Sequence, residues 1–164
     1  MATKFDIEAL LTQMQSFMQA KLPAKLTALD AEKNDGITLA AVDSGAYTLQ
    51  IPSYAMTNFD PFVLYGIDDI EPNGGIGPGT REPYKLYVVL GLTDSGNDPD
   101  VIKRLLRYQR ALKEIFQADW ASVAGSVKFK VSGLVPVPLS LLEENKPVRN
   151  TKIVGINLDV TLDS

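Results

Sequence analysis

Apolar residues recur every three or four positions from Phe5 to Leu22, at Ile7, Leu10, Leu11, Met14, Phe17 and Met18. That spacing gathers them on one face of an amphipathic helix. Pro23 lacks the amide that a helix interior needs, so the helix is predicted to end or kink there. Ala24 to Lys33 then adds a further turn or two before Asn34-Asp35-Gly36 reverses the chain. A second helix is predicted from Asp98 to Trp120. At about 100° per residue, Val101, Leu105, Tyr108, Leu112, Ile115 and Phe116 fall on one side of it. Asp98 can cap the free amides of its first turn, and Pro99 fits that turn without losing a bond.

Between the helices the period changes. Ile37 to Val42 and Tyr47 to Ile51 read as two strands joined by the tight connection Asp43-Ser44-Gly45, a candidate hairpin. Phe62 to Ile70 and Tyr84 to Thr93 are apolar on both alternate sets of positions, the pattern of central or covered strands. After the second helix, Ser126 to Leu134 alternates Val127, Phe129 and Val131 with Lys128, Lys130 and Ser132. Thr151 to Leu162 alternates Val154, Ile156, Leu158 and Val160 with Asn157, Asp159 and Thr161, so both are half-buried strands. Val135-Pro136-Val137-Pro138-Leu139 and the charged turn near Glu143 to Pro147 join them as an extended arm too long for a minimal hairpin. The predicted fold is α+β. A mostly antiparallel sheet is packed by the N-terminal helix and the second amphipathic helix, in a single domain over residues 1–164.

Composition narrows the chemistry. The 164 residues are 45% hydrophobic and contain neither Cys nor His. Disulfides, thiolate metal sites, Ser-His-Asp and Cys-His nucleophilic systems and His-ligated zinc are therefore excluded. The expectation is a protein that is not an enzyme, with no cofactor and no metal. A net charge of −4 argues against general nucleic-acid binding, because tight phosphate binding needs many cations to displace counterions. No run has the length needed to span a bilayer, and the N-terminus lacks the apolar core of a secretory signal, so no membrane partner is expected.

Against that acidic background, Lys103, Arg107 and Arg110 fall within roughly 60° of one another on the far side of the second helix, flanked by Arg104 and Lys113. The row has three readings: a solvated face, a contact with a neighbour's carboxylates, or a surface that steers DNA. Glu114 lies in the same sector and no aromatic residue interleaves, which weakens the nucleic-acid reading. The loop Gly74-Gly75-Ile76-Gly77-Pro78-Gly79-Thr80 has no P-loop Lys, and its Pro removes an amide donor. It reads as a mobile surface or assembly loop rather than a phosphate cradle. Asp68, Asp69 and Glu71 read as a solvated strand end rather than a cation site, since neighbouring strand residues point to opposite faces. The apolar segment Leu134 to Leu142 either folds over its own core or meets a partner.

The order of helix, hairpin, central strands, second helix and two closing strands resembles the tail terminator and tail completion proteins of long-tailed bacteriophages. The resemblance is carried by Lys21-Leu22-Pro23-Ala24-Lys25-Leu26, Arg107-Tyr108-Gln109-Arg110-Ala111-Leu112 and Lys152-Ile153-Val154-Gly155-Ile156-Asn157-Leu158. It implies a virion protein assembled in the host cytoplasm, a small α+β subunit of a hexameric ring. Such a ring caps the head-proximal end of the tail tube, stops polymerisation and docks the neck or connector, with DNA passing the lumen without specific binding. Under it, Lys103, Arg104, Arg107, Arg110 and Lys113 are candidate subunit or lumen contacts. Gly74, Gly75, Gly77, Pro78 and Gly79, with Val135, Pro136, Val137, Pro138 and Leu139, are candidate assembly loops toward the tail tube protein or the neck. A head-completion connector is the nearest alternative. A monomeric ligand-binding module follows, and an enzyme using Asp68, Glu71 and Arg81 is third.

Overall fold

The computed structural model describes residues 7–49, 59–70, 81–93, 98–118, 128–143 and 146–163. Helix α1 spans Ile7–Lys33, strand β1 Tyr47–Leu49, β2 Phe62–Ile70 and β3 Arg81–Thr93. Helix α2 spans Val101–Ala118, and β4 Lys128–Glu143 and β5 Lys146–Asp163 close the chain. The strands form one sheet in the order β1-β2-β3-β5-β4. Among the described residues only β1 and β2 pair in parallel; the other neighbours are antiparallel. This is the α+β, mostly antiparallel architecture that the hydrophobic pattern predicts.

Register explains the core. Val63 lies opposite Leu90, Tyr65 opposite Val88 and Ile67 opposite Leu86. Leu86, Val88 and Leu90 in turn oppose Leu158, Ile156 and Val154. These cross-strand rows meet Leu10, Met14, Met18 and Leu22 of α1 and Leu105, Leu112 and Phe116 of α2 in one apolar cluster. The ring of Phe17 on α1 lies 5.3 Å from that of Phe116 on α2, tilted by 52°, within the range of favourable aromatic pairs. Phe62, Leu64 and Val89 on the alternate positions are buried too, in keeping with strands apolar on both sets.

Three expectations change. Helix α1 runs through Pro23 without a break. A proline in a helix interior costs about 3 kcal/mol, but Leu22, Leu26 and Leu29 on either side of it are buried, each contributing roughly 1.5–3 kcal/mol. The packing outweighs the lost bond. The helix stops instead at Asn34, whose amide donates to the Asp30 carbonyl at 3.0 Å. Asn34 and Gly36 then take φ of 44° and 81°, the left-handed geometry of a helix C-terminus.

Ile37 to Val42 is not a strand, and no hairpin joins it to β1. Its backbone groups are taken by side chains rather than by a ladder. The Leu39 amide donates to both Asp30 carboxylate oxygens at 3.1 and 3.2 Å, Arg107 donates to the Ile37 carbonyl at 3.3 Å, and the Tyr108 hydroxyl donates to the Ala40 carbonyl at 2.8 Å. Ile37, Leu39 and Val42 are buried, so the segment is an extended strap with its polar groups satisfied locally.

The extended arm is part of β4, which pairs with β5 as far as Glu143 opposite Lys146. Between Val135 and Leu139 the ladder advances four residues on β4 for two on β5. Pro136 and Pro138 fall inside that irregularity, where a strand tolerates a missing amide.

Candidate functional site

Helix α2 lies against β3, β5 and β4 and alongside α1. Its start follows the sequence: the Asp98 carboxylate accepts the Asp100 amide at 2.9 Å and also pairs with Arg104. The predicted apolar face is the buried one, and Val101, Leu105, Tyr108, Leu112, Ile115 and Phe116 all belong to the core.

The basic row is divided by the fold. Arg107 is only 7% exposed, on the margin of the buried face rather than on the far side of the helix. Its guanidinium donates to Asp35 Oδ1 at 3.1 Å and, through the other terminal nitrogen, to Asp35 Oδ2. This pairing holds the Asp35 carboxyl below its usual range and raises the Arg107 guanidinium. Arg110 forms a two-pronged pair with Glu32, at 2.8 and 3.0 Å, and its Nε donates to Glu114 at 2.6 Å. Lys25 pairs with the other Glu114 oxygen. The Arg110 bond lowers the Glu32 carboxyl, while Lys25 first and Arg110 second lower that of Glu114. A continuous polar chain, Lys25 to Glu114 to Arg110 to Glu32, therefore fastens α2 to α1.

Lys103 remains outward, with 63% of its side chain exposed and Asp100 on the same turn 3.8 Å away. Lys113 is half-buried and makes no ion pair among the described residues. Two neighbours on the outward arc were not legible as site residues. Ile102 and Leu106 are 40% and 49% exposed, two of the three exposed large hydrophobic side chains among the described residues. A helical projection places them beside Lys113, a signal hidden by reading only the charges.

The carboxylate partners were missed as well, although the acidic run Asp30, Glu32 and Asp35 at the end of α1 was visible. Of the candidate assembly loops, Gly74, Gly75, Gly77, Pro78 and Gly79 lie outside the described residues, as does Glu71. Val135, Pro136, Val137, Pro138 and Leu139 lie in β4. Among the described residues no group of three or more acidic side chains is placed to hold a metal ion. None of the described helices is long and apolar enough to cross a membrane.

A cleft of about 460 Å³ opens between the first turns of α1 and the strands β1 and β2, lined by Ile7, Leu11, Gln15, Tyr47, Leu49 and Tyr65 among others. Gln15 bridges it, donating to the Tyr47 carbonyl at 3.3 Å and accepting from the Tyr65 hydroxyl at 3.1 Å. The Tyr47 hydroxyl is buried and has no hydrogen-bond partner among the described residues, and burial pushes its pKa up to about 12. Glu8 and Thr12 line it as well, and the Thr12 hydroxyl donates to the Glu8 backbone carbonyl at 3.0 Å. Compared with known families and with curated proteins, the sequence matches no family model and no curated relative.

Proposed function

We propose that the protein is a structural assembly subunit, a phage tail terminator or closely related neck ring, that caps the tail tube and docks the connector. The observation that carries this reading is the order of elements. Helix α1, strands β1 to β3, helix α2 and the closing pair β4 and β5 keep the order on which the resemblance to tail terminators rests, except that the extended strap at 37–42 stands where that order has a hairpin. The acidic total supports it too, because a ring through which DNA passes should not grip phosphates. In this reading the subunit works by contact rather than by chemistry, and heterologous contacts that close generate the ring.

Native mass spectrometry and electron microscopy of the protein with isolated tail tubes test the reading. The expected result is a closed ring, in solution or at one end of the tubes. A chain that stays monomeric and ignores tubes removes it. The cleft beside Tyr47 favours a second reading, a monomeric module for a small apolar ligand, and the same measurement separates the two.

A further inference from the structure

We propose that the cleft between the first turns of α1 and strands β1 and β2 binds a small, uncharged, mainly apolar molecule bearing one carbonyl-type oxygen, which the Tyr47 hydroxyl and the Gln15 amide receive. The inference rests on the second reading above, names the ligand class of that cleft, and does not depend on the ring.

Three observations converge. The cleft, at about 460 Å³, falls within the range of small-molecule sites, roughly 300–1,000 Å³. Ile7, Leu11 and Leu49 give it apolar walls. Leu49 is 40% exposed, one of the three exposed large hydrophobic side chains among the described residues, so a seated ligand gains by taking it out of water.

Second, the polar groups of the cleft have donors to spare. Tyr47 lies opposite Val63 and Leu49 opposite Tyr65, so alternation sets Tyr47, Leu49 and Tyr65 on the same face of the sheet. Tyr47 is only 4% exposed, and its hydroxyl has no hydrogen-bond partner among the described residues. A buried hydroxyl left unpaired costs the fold its desolvation without return. Gln15 gives one amide hydrogen to the Tyr47 carbonyl, and its oxygen accepts from Tyr65. Those two bonds hold the side chain in place while its second amide hydrogen stays unspent among the described residues, so little further ordering is needed when a ligand accepts it.

Third, charge selects the ligand. Glu8 carries the one charge among the lining residues, so an anion entering the cleft would meet a carboxylate and no cation. Two unspent donors call for an acceptor, and an ammonium group has none to offer. A neutral molecule whose oxygen accepts and whose body fills the apolar walls satisfies both conditions.

Three probes of similar shape test this on the full-length protein: acetophenone, α-methylstyrene, in which a methylene replaces the carbonyl oxygen, and benzoate. Chemical shifts of the Leu49 methyls and of the Tyr47 and Tyr65 rings read binding in the wild type and in Tyr47→Phe. Acetophenone is expected to shift these signals saturably, α-methylstyrene to bind about three- to tenfold more weakly, and benzoate more weakly than either. Tyr47→Phe should bind acetophenone less tightly, with the gap between the two neutral probes narrowed. Its thermal midpoint should stay level or rise, because the variant removes an unpaired buried hydroxyl. A lowered midpoint would show that the hydroxyl is already engaged within the fold and would overturn the proposal. Equal affinity of the wild type for acetophenone and α-methylstyrene leaves the apolar-ligand reading standing and overturns the acceptor assigned here. No saturable binding by any probe, or shifts only at residues away from the cleft, overturns both.

Discussion

Arg107 of α2 reaches across seventy-two positions of sequence to hold Asp35 at the end of α1 with two of its guanidinium nitrogens, and one of them also holds the Ile37 carbonyl. The pair fixes the start of the strap that crosses to β1. Arg107→Ala should therefore lower the thermal midpoint, leaving Asp35 unpaired and the Ile37 carbonyl without its donor. Arg107→Lys should recover only part of the loss, because an ammonium cannot supply the planar fork. Hydrogen exchange should localise the effect to residues 35–42. An Arg107→Ala variant with the wild-type midpoint and exchange pattern would make the contact energetically idle.

Stability should fall in acid through the same contacts. The Asp35, Glu32 and Glu114 carboxyls are all held below their ordinary values of 3.8, 4.5 and 4.5 by their cationic partners. The unfolded chain then binds protons more readily than the folded one. Their contribution is present above the ordinary values and is lost as the pH falls through the lowered ones. The thermal midpoint should be flat near neutrality and decline from about pH 5 downward. A double variant, Glu32→Gln with Glu114→Gln, should show a shallower decline. An unchanged slope in that variant would assign the acid sensitivity to other groups.

Pro23 leaves a helix interior one bond short while its own ring faces solvent. Pro23→Ala should restore the bond to the Gln19 carbonyl and stabilise the protein by roughly 1–3 kcal/mol. Chemical denaturation would measure it, and a destabilised variant would mean that the proline sets a bend on which the packing of Phe17 or Leu26 depends.

The periodic parts of the fold were legible, and the places where side chains replaced backbone partners were not. Val101, Leu105, Tyr108, Leu112, Ile115 and Phe116 announced the buried face of α2 because burial there follows the helical period. Ile37 to Val42 alternates like a strand, yet its backbone is satisfied by the Asp30 carboxylate on α1 and by Arg107 and Tyr108 on α2, the last two far away in sequence. A local pattern carries no information about such partners. The same limit applies to the candidate site. Projection gave the row of cations but not the carboxylates of α1 that engage Arg107 and Arg110, and reading charge alone passed over Ile102 and Leu106.

Gly155 lies opposite Val89 in the register of β3 and β5, and its carbonyl accepts from the buried Gln109 side chain at 2.9 Å. A Cβ added there would sit 2.3 Å from the Val88 carbonyl oxygen and 2.7 Å from the Val89 side chain. The first of these is backbone in a central strand and cannot rotate away, so relief requires the strands to separate. That movement would also displace the Gly155 carbonyl from Gln109, coupling strand spacing to the seating of α2. Gly155→Ala should cost about 1–3 kcal/mol, in the range of an overpacked core, whereas a residue in open space would tolerate the same change. Gly36→Asn is the control. Nothing lies within 4 Å of a Cβ at Gly36, where φ is 81°, and Asn tolerates that conformation, so little stability should be lost. If Gly155→Ala proves as mild as the Gly36 variant by denaturant titration, β3 and β5 have room to yield. The close approach would then not be what selects glycine at this position.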